Sequence, residues 1–209
     1  MSYDHIQVNT QSSIRIEGSR VVYFDPFQIS AEKHDADLIC ITHAHYDHFD
    51  PESILKVCSQ NTELAAPAGM VRELKKLAWK GKMHLLAPGD RLETAGIIIT
   101  AKPAYNKLKP FHPKRSGWLG YLLEMDETLY YVAGDTDAVK ELQEIKCDAA
   151  LVPIGGKFTM NAREAAGLVN KIKPKAAIPT HYGSIVGKPQ DAETFRKMVD
   201  REVQVIVKL

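Results

Sequence analysis

Residues 42–50 read THAHYDHFD, which places three of the chain's eight histidines and two aspartates within nine positions. They follow the apolar run ADLICI at residues 36–41, which predicts a buried strand that ends in this segment. Asp50 before Pro51 is typical of a helix start, with an N-cap followed by proline at the first helical position. The histidines are therefore predicted to lie in a loop between a strand end and a helix.

The spacing of these side chains suits a divalent metal ion. Side chains alternate along an extended chain, so His43 and His45 point the same way and can hold one ion. Asp47 continues the alternation, and a turn there would direct His48 to a second ion beside the first. A single histidine is more often solvated or helix-capping, but the joint HxHxDH spacing at a strand end favours metal binding.

Two later apolar runs end in further ligand types. Residues 129–135, LYYVAGD, place Asp135 just past a predicted strand, where a carboxylate can bridge two ions. Residues 177–183, AIPTHYG, place His181 in the equivalent position. Each residue alone is as compatible with a loop cap as with a ligand. Together with the first motif, both are predicted to be metal ligands.

Taken in order, THAHYDH, AGDTD and PTHYG resemble the motifs of metallo-β-lactamase-fold hydrolases, in particular the small metal-dependent hydrolases related to ascorbate-phosphate lactonases and N-acylphosphatidylethanolamine phospholipases. The resemblance covers nearly the whole chain. It implies an α/β (α+β) fold, a four-layer αβ/βα sandwich with the metals at one edge between two sheets. It also implies a first metal at His43 and His45, a second at Asp47, His48 and His181, and a bridging Asp135.

One position departs from the motifs of that family. The family usually supplies a third histidine to the first metal in a Pro-Ala-x-His context, where this chain reads PAYN at residues 103–106. Asn106 is a poorer ligand than imidazole. His112, six residues later in the same loop, is interpreted either as the missing ligand, as a residue that acts on substrate, or as a solvated loop histidine. The sequence leaves open whether one ion binds or two.

The predicted elements favour one domain spanning residues 1–209, a length that suits a single core. The first half reads as strands joined by short turns, with a helix over residues 71–79. The second half alternates strands with helices that are predicted to begin at residues 138, 162 and 192. Antiparallel strands followed by β-α alternation favour packed sheets with helices outside.

Composition narrows the classes of partner. Lys and Arg number 27 against 26 Asp and Glu, so no large positive field is available to hold nucleic acid, and a small-molecule substrate is expected. No apolar run reaches the length of a membrane span, and the N-terminus lacks the pattern of a signal peptide, so a cytoplasmic protein is expected. The three cysteines show no CxxC spacing and are predicted to be buried, reduced thiols.

The predicted function is hydrolysis of a phosphodiester, a lactone or another ester by a metal-activated water. Asp47 is predicted to orient the water and accept its proton, and Asp25, at an earlier strand end, to hydrogen-bond a ligand histidine. Zinc is the preferred metal, with nickel, manganese and iron as alternatives. The competing class is a non-catalytic metal-binding scaffold or sensor whose first site is incomplete at Asn106.

Contacts to the substrate are predicted less specifically. Lys114 and Arg115 can hold an anionic group, although two exposed cations are also common on a near-neutral protein. Tyr105 and Tyr182 are candidate polar donors, and Tyr182 can equally be a wall residue. Asn106 and His112 complete the set of residues expected near the substrate.

Overall fold

The structure is a computed structural model that describes residues 2–209, and its first half forms a six-stranded sheet. The strands are β1 (Ile6–Val8), β2 (Ile14–Glu17), β3 (Val21–Phe24), β4 (Ala36–Cys40), β5 (Cys58–Pro67) and β6 (Met83–Leu86). They lie in chain order, antiparallel from β1 to β3 and parallel from β3 to β6. Helix α1 (Pro51–Val57) joins β4 to β5, and the short α2 (Val71–Leu74) lies between β5 and β6.

The second half forms a seven-stranded sheet. Its strands are β7 (Arg91–Thr94), β8 (Ile97–Pro103), β9 (Leu119–Met125), β10 (Thr128–Val132), β11 (Ala149–Pro153), β12 (Ala176–Thr180) and β13 (Gln204–Val205). Strands β7 to β10 are antiparallel hairpins, and β10 to β13 pair in parallel. Helices α3 (Ala162–Ile172) and α4 (Asp191–Met198) supply the crossovers that parallel pairing requires.

The helix starts follow from local chemistry. The Asp50 side chain accepts a hydrogen bond from the Glu52 backbone N–H, and Pro51 occupies the first helical position of α1. Asn161 and Glu164 form a reciprocal capping box at the start of α3. These two predicted helix starts are confirmed.

Apolar side chains form three layers of core. One cluster lies between the sheets and includes Phe24 and Leu38 from the first sheet with Tyr121 from the second. A second packs α3 and α4 on the outer face of the second sheet, and a third packs α1 and α2 on the first. The predicted four-layer arrangement of two sheets with helices outside is therefore confirmed.

Three predicted elements differ from the structure. No α-helix begins at residue 138; a 3-10 helix covers Lys140–Glu144, and the buried residues Val139, Leu142 and Ile145 recur every three positions, which is the 3-10 period. The predicted helix over residues 71–79 is shortened to α2 between 3-10 segments and ends at Ala78, whose φ is 49°. The last predicted strand, at residues 203–207, is reduced to β13.

At Gly120 in β9, the backbone packs closely against the segment that follows β10. A Cβ at this position would lie 2.5 Å from the Ala133 carbonyl oxygen, a backbone atom that cannot move aside. Gly120→Ala is therefore expected to lower the free energy of unfolding by about 1–3 kcal/mol. The matched control is Gly167→Ala in α3, where nothing lies within 4 Å and alanine should stabilise the helix by about 0.5–1 kcal/mol. Urea unfolding of both variants checks the opposite signs.

Two further expectations concern thiols and membranes. Cys40, Cys58 and Cys147 are free; Cys40 is buried as predicted, whereas Cys58 and Cys147 are only partly buried. None of the helices within residues 2–209 combines the length and apolarity that a bilayer crossing requires.

Candidate metal centre

Loops from both sheets meet at one edge of the sandwich. Thr42 and His43 follow shortly after β4 of the first sheet, while Asp135 follows β10 and His181 follows β12 of the second. The long connection from β8 to β9 adds His112. Parallel strands end at the same edge of a sheet, so residues far apart in the chain are brought together here.

A first group of donors consists of three imidazoles. His43 Nε2 lies 3.1 Å from His45 Nδ1, and the ring centroid of His112 lies 5.0 Å from that of His43 and 4.9 Å from that of His45. One ligand atom from each of these residues can be chosen so that all three lie within 4.8 Å of one another. His43 and His45, which alternation in an extended chain predicted to act together, therefore face the same point.

A second group lies beside the first. His181 Nε2 is 3.2 Å from both His48 Nε2 and Asp47 Oδ2. Asp135 lies between the two groups, because its Oδ1 is 3.4 Å from His48 Nε2 and its Oδ2 is 3.2 Å from His112 Nε2. With His43 and His48 it forms a further set of ligand atoms that lie within 4.8 Å of one another. The chain places this carboxylate between two sets of imidazole donors.

The spacing of these atoms fits two divalent ions. Ligand atoms at about 2.0–2.1 Å from a tetrahedral ion are separated by about 3.4 Å, which is close to the distances observed. His112 Nε2 and Asp135 Oδ1 are buried without a hydrogen-bond partner, although buried polar atoms are normally paired. Ions held by the two groups would satisfy both atoms. The donor set, imidazole and carboxylate, is also the one that such ions prefer.

Burial and charge keep His43, His45 and Asp135 in the protonation states that ligate. Burial lowers the pKa of His43 well below its usual value and also lowers that of His45, so both rings are neutral near pH 7. Burial alone would raise the pKa of Asp135, but the adjacent His181 and His48 outweigh burial and hold that pKa well below its usual range. Asp135 is therefore a carboxylate.

Asp25 supports the second group from behind. This fully buried carboxylate accepts hydrogen bonds from the Thr42 N–H and hydroxyl, and its Oδ2 lies 2.7 Å from His48 Nδ1. Burial lowers the pKa of His48, but in the metal-free protein Asp135 and Asp25 together raise it to about 9, so a metal ion at Nε2 would have to displace a proton. Because Asp25 holds a proton on Nδ1, Nε2 faces the cluster, so the predicted contact between Asp25 and a histidine is confirmed.

Asp25→Asn is expected to lower the free energy of unfolding of the metal-free protein by about 2–4 kcal/mol. Three donors converge on the carboxylate, and an amide would direct its NH₂ at one of them. The same variant should lower metal affinity by about 10–100-fold. Asparagine tolerates the positive φ of 45° at this position, so backbone strain is not the cause.

Urea unfolding and isothermal titration with Zn²⁺ check these two effects. The control is Asp37→Asn in β4, whose carboxylate is partly exposed and accepts from the Val21 N–H. Unchanged stability and unchanged affinity in Asp25→Asn would show that the contact with His48 has no energetic role.

The structure distinguishes Asn106 from His112. Asn106 Oδ1 accepts a hydrogen bond from the His112 N–H and lies 2.9 Å from His112 Nδ1, while its Nδ2 donates to Asp137 and to the Phe158 carbonyl. Asn106 therefore lies behind His112 and orients that ring, so His112 rather than Asn106 reaches the donor group. A backbone hydrogen bond from Asn106 N–H to the His112 carbonyl closes the loop that makes this possible.

The weaker predictions of substrate contacts require correction. The Tyr105 hydroxyl and Lys114 Nζ both contact Glu141, outside the donor cluster. Tyr182 is buried in the outer core with its hydroxyl 3.4 Å from the Leu209 carbonyl, so it is neither a donor at the cluster nor a wall of the site. Arg115 is exposed on the 3-10 turn that also carries Lys114.

Trp118 is a site residue that the sequence did not indicate. Its ring lies 4.9–5.3 Å, between centroids, from the rings of His43, His45 and His112. It therefore forms one wall of the first donor group. It precedes β9 and carries no motif, so its proximity depends on the pairing of β9 with the strands around it.

Comparison with known proteins agrees with this architecture. Residues 5–181 match the model of the beta-lactamase superfamily domain. A metal-dependent hydrolase from Pyrococcus horikoshii is 30% identical over 206 residues, covering 92% of this chain and 90% of that protein.

Solved structures agree as well. A protein from Parabacteroides distasonis described as a metal-dependent hydrolase superposes with a TM-score of 0.79 at 29% identity, covering 98% of this chain and 92% of that one. The metallo-beta-lactamase fold protein YhfI from Bacillus subtilis has a TM-score of 0.75 at 12% identity, with coverage of 98% and 92%, and shows the fold alone. With its histidine and aspartate donor groups, the chain belongs to the metallo-β-lactamase superfamily as a metal-dependent hydrolase.

Proposed function

We propose that the protein hydrolyses an ester-type bond in a small molecule, a phosphodiester or a lactone or other carboxylic ester, with one or two bound divalent ions, zinc being the preferred one. The observation that carries this proposal is the carboxylate of Asp135, which lies between the two donor groups, with Oδ1 3.4 Å from His48 Nε2 and Oδ2 3.2 Å from His112 Nε2. Such a centre, when loaded, supplies a water of lowered pKa, from 15.7 to about 7, and polarises the substrate oxygen.

Asp47 is proposed as the residue that orients the water and takes its proton. Its Oδ2 lies 3.2 Å from His181 Nε2, and the residue also lines a pocket of about 270 Å³ that opens on the cluster. Burial raises the pKa of Asp47, but the hydrogen bond from His181 and the charge of His48 outweigh burial and lower it. The side chain is therefore an ionised acceptor near pH 7.

The competing proposal, a non-catalytic scaffold or sensor, depended on an incomplete first group. His112 occupies the place for which Asn106 is unsuited, so that support is removed. The pocket beside Asp47 also favours turnover, because a purely structural metal site is usually closed on all sides. A small-molecule substrate remains the proposal, in line with the near-neutral charge of the chain.

Metal removal tests the proposed function. Purified protein is expected to contain divalent metal by elemental analysis, and chelation should reduce hydrolysis of bis-(p-nitrophenyl) phosphate, p-nitrophenyl acetate and a lactone panel by about a hundredfold or more. Separate addition of zinc, manganese, nickel or iron should identify the ion that restores activity. Each missing imidazole removes a ligand, so His48→Ala should behave like the chelated protein.

His34→Ala is the matched control, because His34 is exposed on the surface and lies outside both donor groups. It should retain metal and activity. Metal-loaded protein that hydrolyses none of these substrates would instead support the scaffold or sensor.

A further inference from the structure

The pocket beside the donor cluster has apolar walls that the hydrolytic chemistry does not require. Tyr46, Phe111, Phe158 and Ile185 line it together with the cluster residues. They come from four different loops, those that follow β4, β8, β11 and β12. Convergence of four loops on one cavity is typical of a binding site carried by a rigid scaffold.

These apolar side chains remain accessible although folding normally buries them. Tyr46 is 66% exposed, Phe111 39% and Ile185 38%. The Phe111 and Phe158 rings meet edge to face with their centroids 4.6 Å apart. Large apolar residues exposed together at the mouth of a cavity mark a binding surface, whereas single exposed ones do not.

The walls are also held in place before any ligand binds. The Asn106 amide donates to the Phe158 carbonyl, and Lys109 Nζ donates to the Thr159 carbonyl at 2.6 Å. These two hydrogen bonds fasten the loop that carries Phe111 to the loop that carries Phe158. A preformed apolar wall binds an apolar group at less entropic cost than a mobile one.

Positive charge is nearly absent from the cavity. Lys109 is paired with Asp137 at 2.7 Å, and the lining contains neither lysine nor arginine. Lys157 is exposed, with its ammonium 5.1 Å from the centroid of the Phe158 ring. Sites for phosphate groups usually provide paired arginine or lysine donors, so the protein part of this pocket is better matched to an uncharged substrate.

We propose that the walls formed by Tyr46, Phe111, Phe158 and Ile185 bind an apolar acyl or aryl group of an uncharged carboxylic ester or lactone. This inference rests on the proposed hydrolytic function and selects among its substrate classes. The ester carbonyl would lie at the donor cluster beside Asp47, and the apolar group would extend between the two phenylalanine rings.

Binding of hydroxamates to zinc-loaded protein tests the subsite without turnover. Octanohydroxamate is expected to bind at least about tenfold more tightly than acetohydroxamate, since each buried methylene adds up to about fourfold. Phe111→Ala and Ile185→Ala should each reduce this ratio. Leu108→Ala should not, because Leu108 is 97% exposed in the same loop and does not line the cavity. Isothermal titration provides the affinities.

Steady-state kinetics provides a second test of the apolar subsite. The kcat/KM for p-nitrophenyl hexanoate should exceed that for p-nitrophenyl acetate, and both should exceed that for bis-(p-nitrophenyl) phosphate. A hydroxamate ratio near one, or preference for the phosphodiester, would overturn the subsite even in an active enzyme. A tenfold ratio without metal-dependent turnover of any ester would contradict the proposed function and leave the subsite standing as a binding site.

Discussion

Asp135→Asn is expected to reduce turnover by about a thousandfold or more, because a ligating charge contributes several kcal/mol and about 4 kcal/mol corresponds to three powers of ten. The carboxylate lies between the donor groups, within 3.4 Å of His48 Nε2 and 3.2 Å of His112 Nε2. Asparagine keeps the size of the side chain but removes the charge that both groups share. Elemental analysis should show fewer ions per chain, and kcat/KM at fixed free zinc measures the loss.

Asp148→Asn is the matched control for this change. Asp148 precedes β11 in the same sheet, and its carboxylate contacts Lys175 and the Leu129 N–H at the other end of the strands. This variant should keep both metal content and activity. An Asp135→Asn protein with full metal content and wild-type kcat/KM would show that the carboxylate is not a shared ligand.

Asp47→Asn is expected to lower kcat by about a hundredfold to ten-thousandfold when measured with saturating metal. The amide retains an oxygen near His181 but cannot accept a proton from water. Metal content must be measured on the same preparation, because Asp47 is also proposed as a ligand of the second ion. If Asp47→Asn loses much more turnover than bound metal, the loss of turnover comes from the missing proton acceptor and not from the missing ligand.

Asp50→Asn tests whether any aspartate-to-asparagine change in this loop lowers turnover. Asp50 caps α1 three residues further on, and asparagine caps helices about as well as aspartate. It should therefore remain fully active. Full turnover of metal-loaded Asp47→Asn would exclude Asp47 as the general base.

Local chemistry made much of the site predictable. His43 and His45 were predictable as a pair from the alternation of side chains along an extended chain, although the chain bends at residues 44–45 and turns over residues 46–48. Asp135 and His181 were predictable as partners because each follows an apolar run, and the ends of parallel strands gather at one edge of a sheet. These predictions required only the positions in the sequence at which the strands end, and no exact geometry.

The position of His112 was not predictable, because it depends on how the 15-residue connection between β8 and β9, residues 104–118, folds. The Asn106 side chain holds both the backbone and the ring of His112, and Asp137 from another loop holds Asn106. The spacing of residues in the sequence does not indicate this hydrogen-bond network. The same limit applies to Trp118, which reaches three histidine rings only through strand pairing.

The fold predictions failed where burial rather than propensity decides the local structure. Residues 138–145 suit a helix by composition, but Val139, Leu142 and Ile145 are buried at three-residue intervals, so a 3-10 helix packs better against the sheet. The helix over residues 71–79 ends early because Ala78 adopts a left-handed conformation. Neither preference exists until the neighbouring layers are present.

From its residues alone, the chain specified strands that end in ligand types and packed sheets with helices outside, because these depend on period and spacing. The four-layer order and the hydrolytic class followed from the resemblance to metallo-β-lactamase-fold hydrolases. The tertiary structure decided which imidazole joins the first donor group, that Asp135 lies between the two groups, and that the cavity beside Asp47 has apolar walls. Those features arise from loops of both halves meeting at one edge, and contacts between distant segments leave no local pattern.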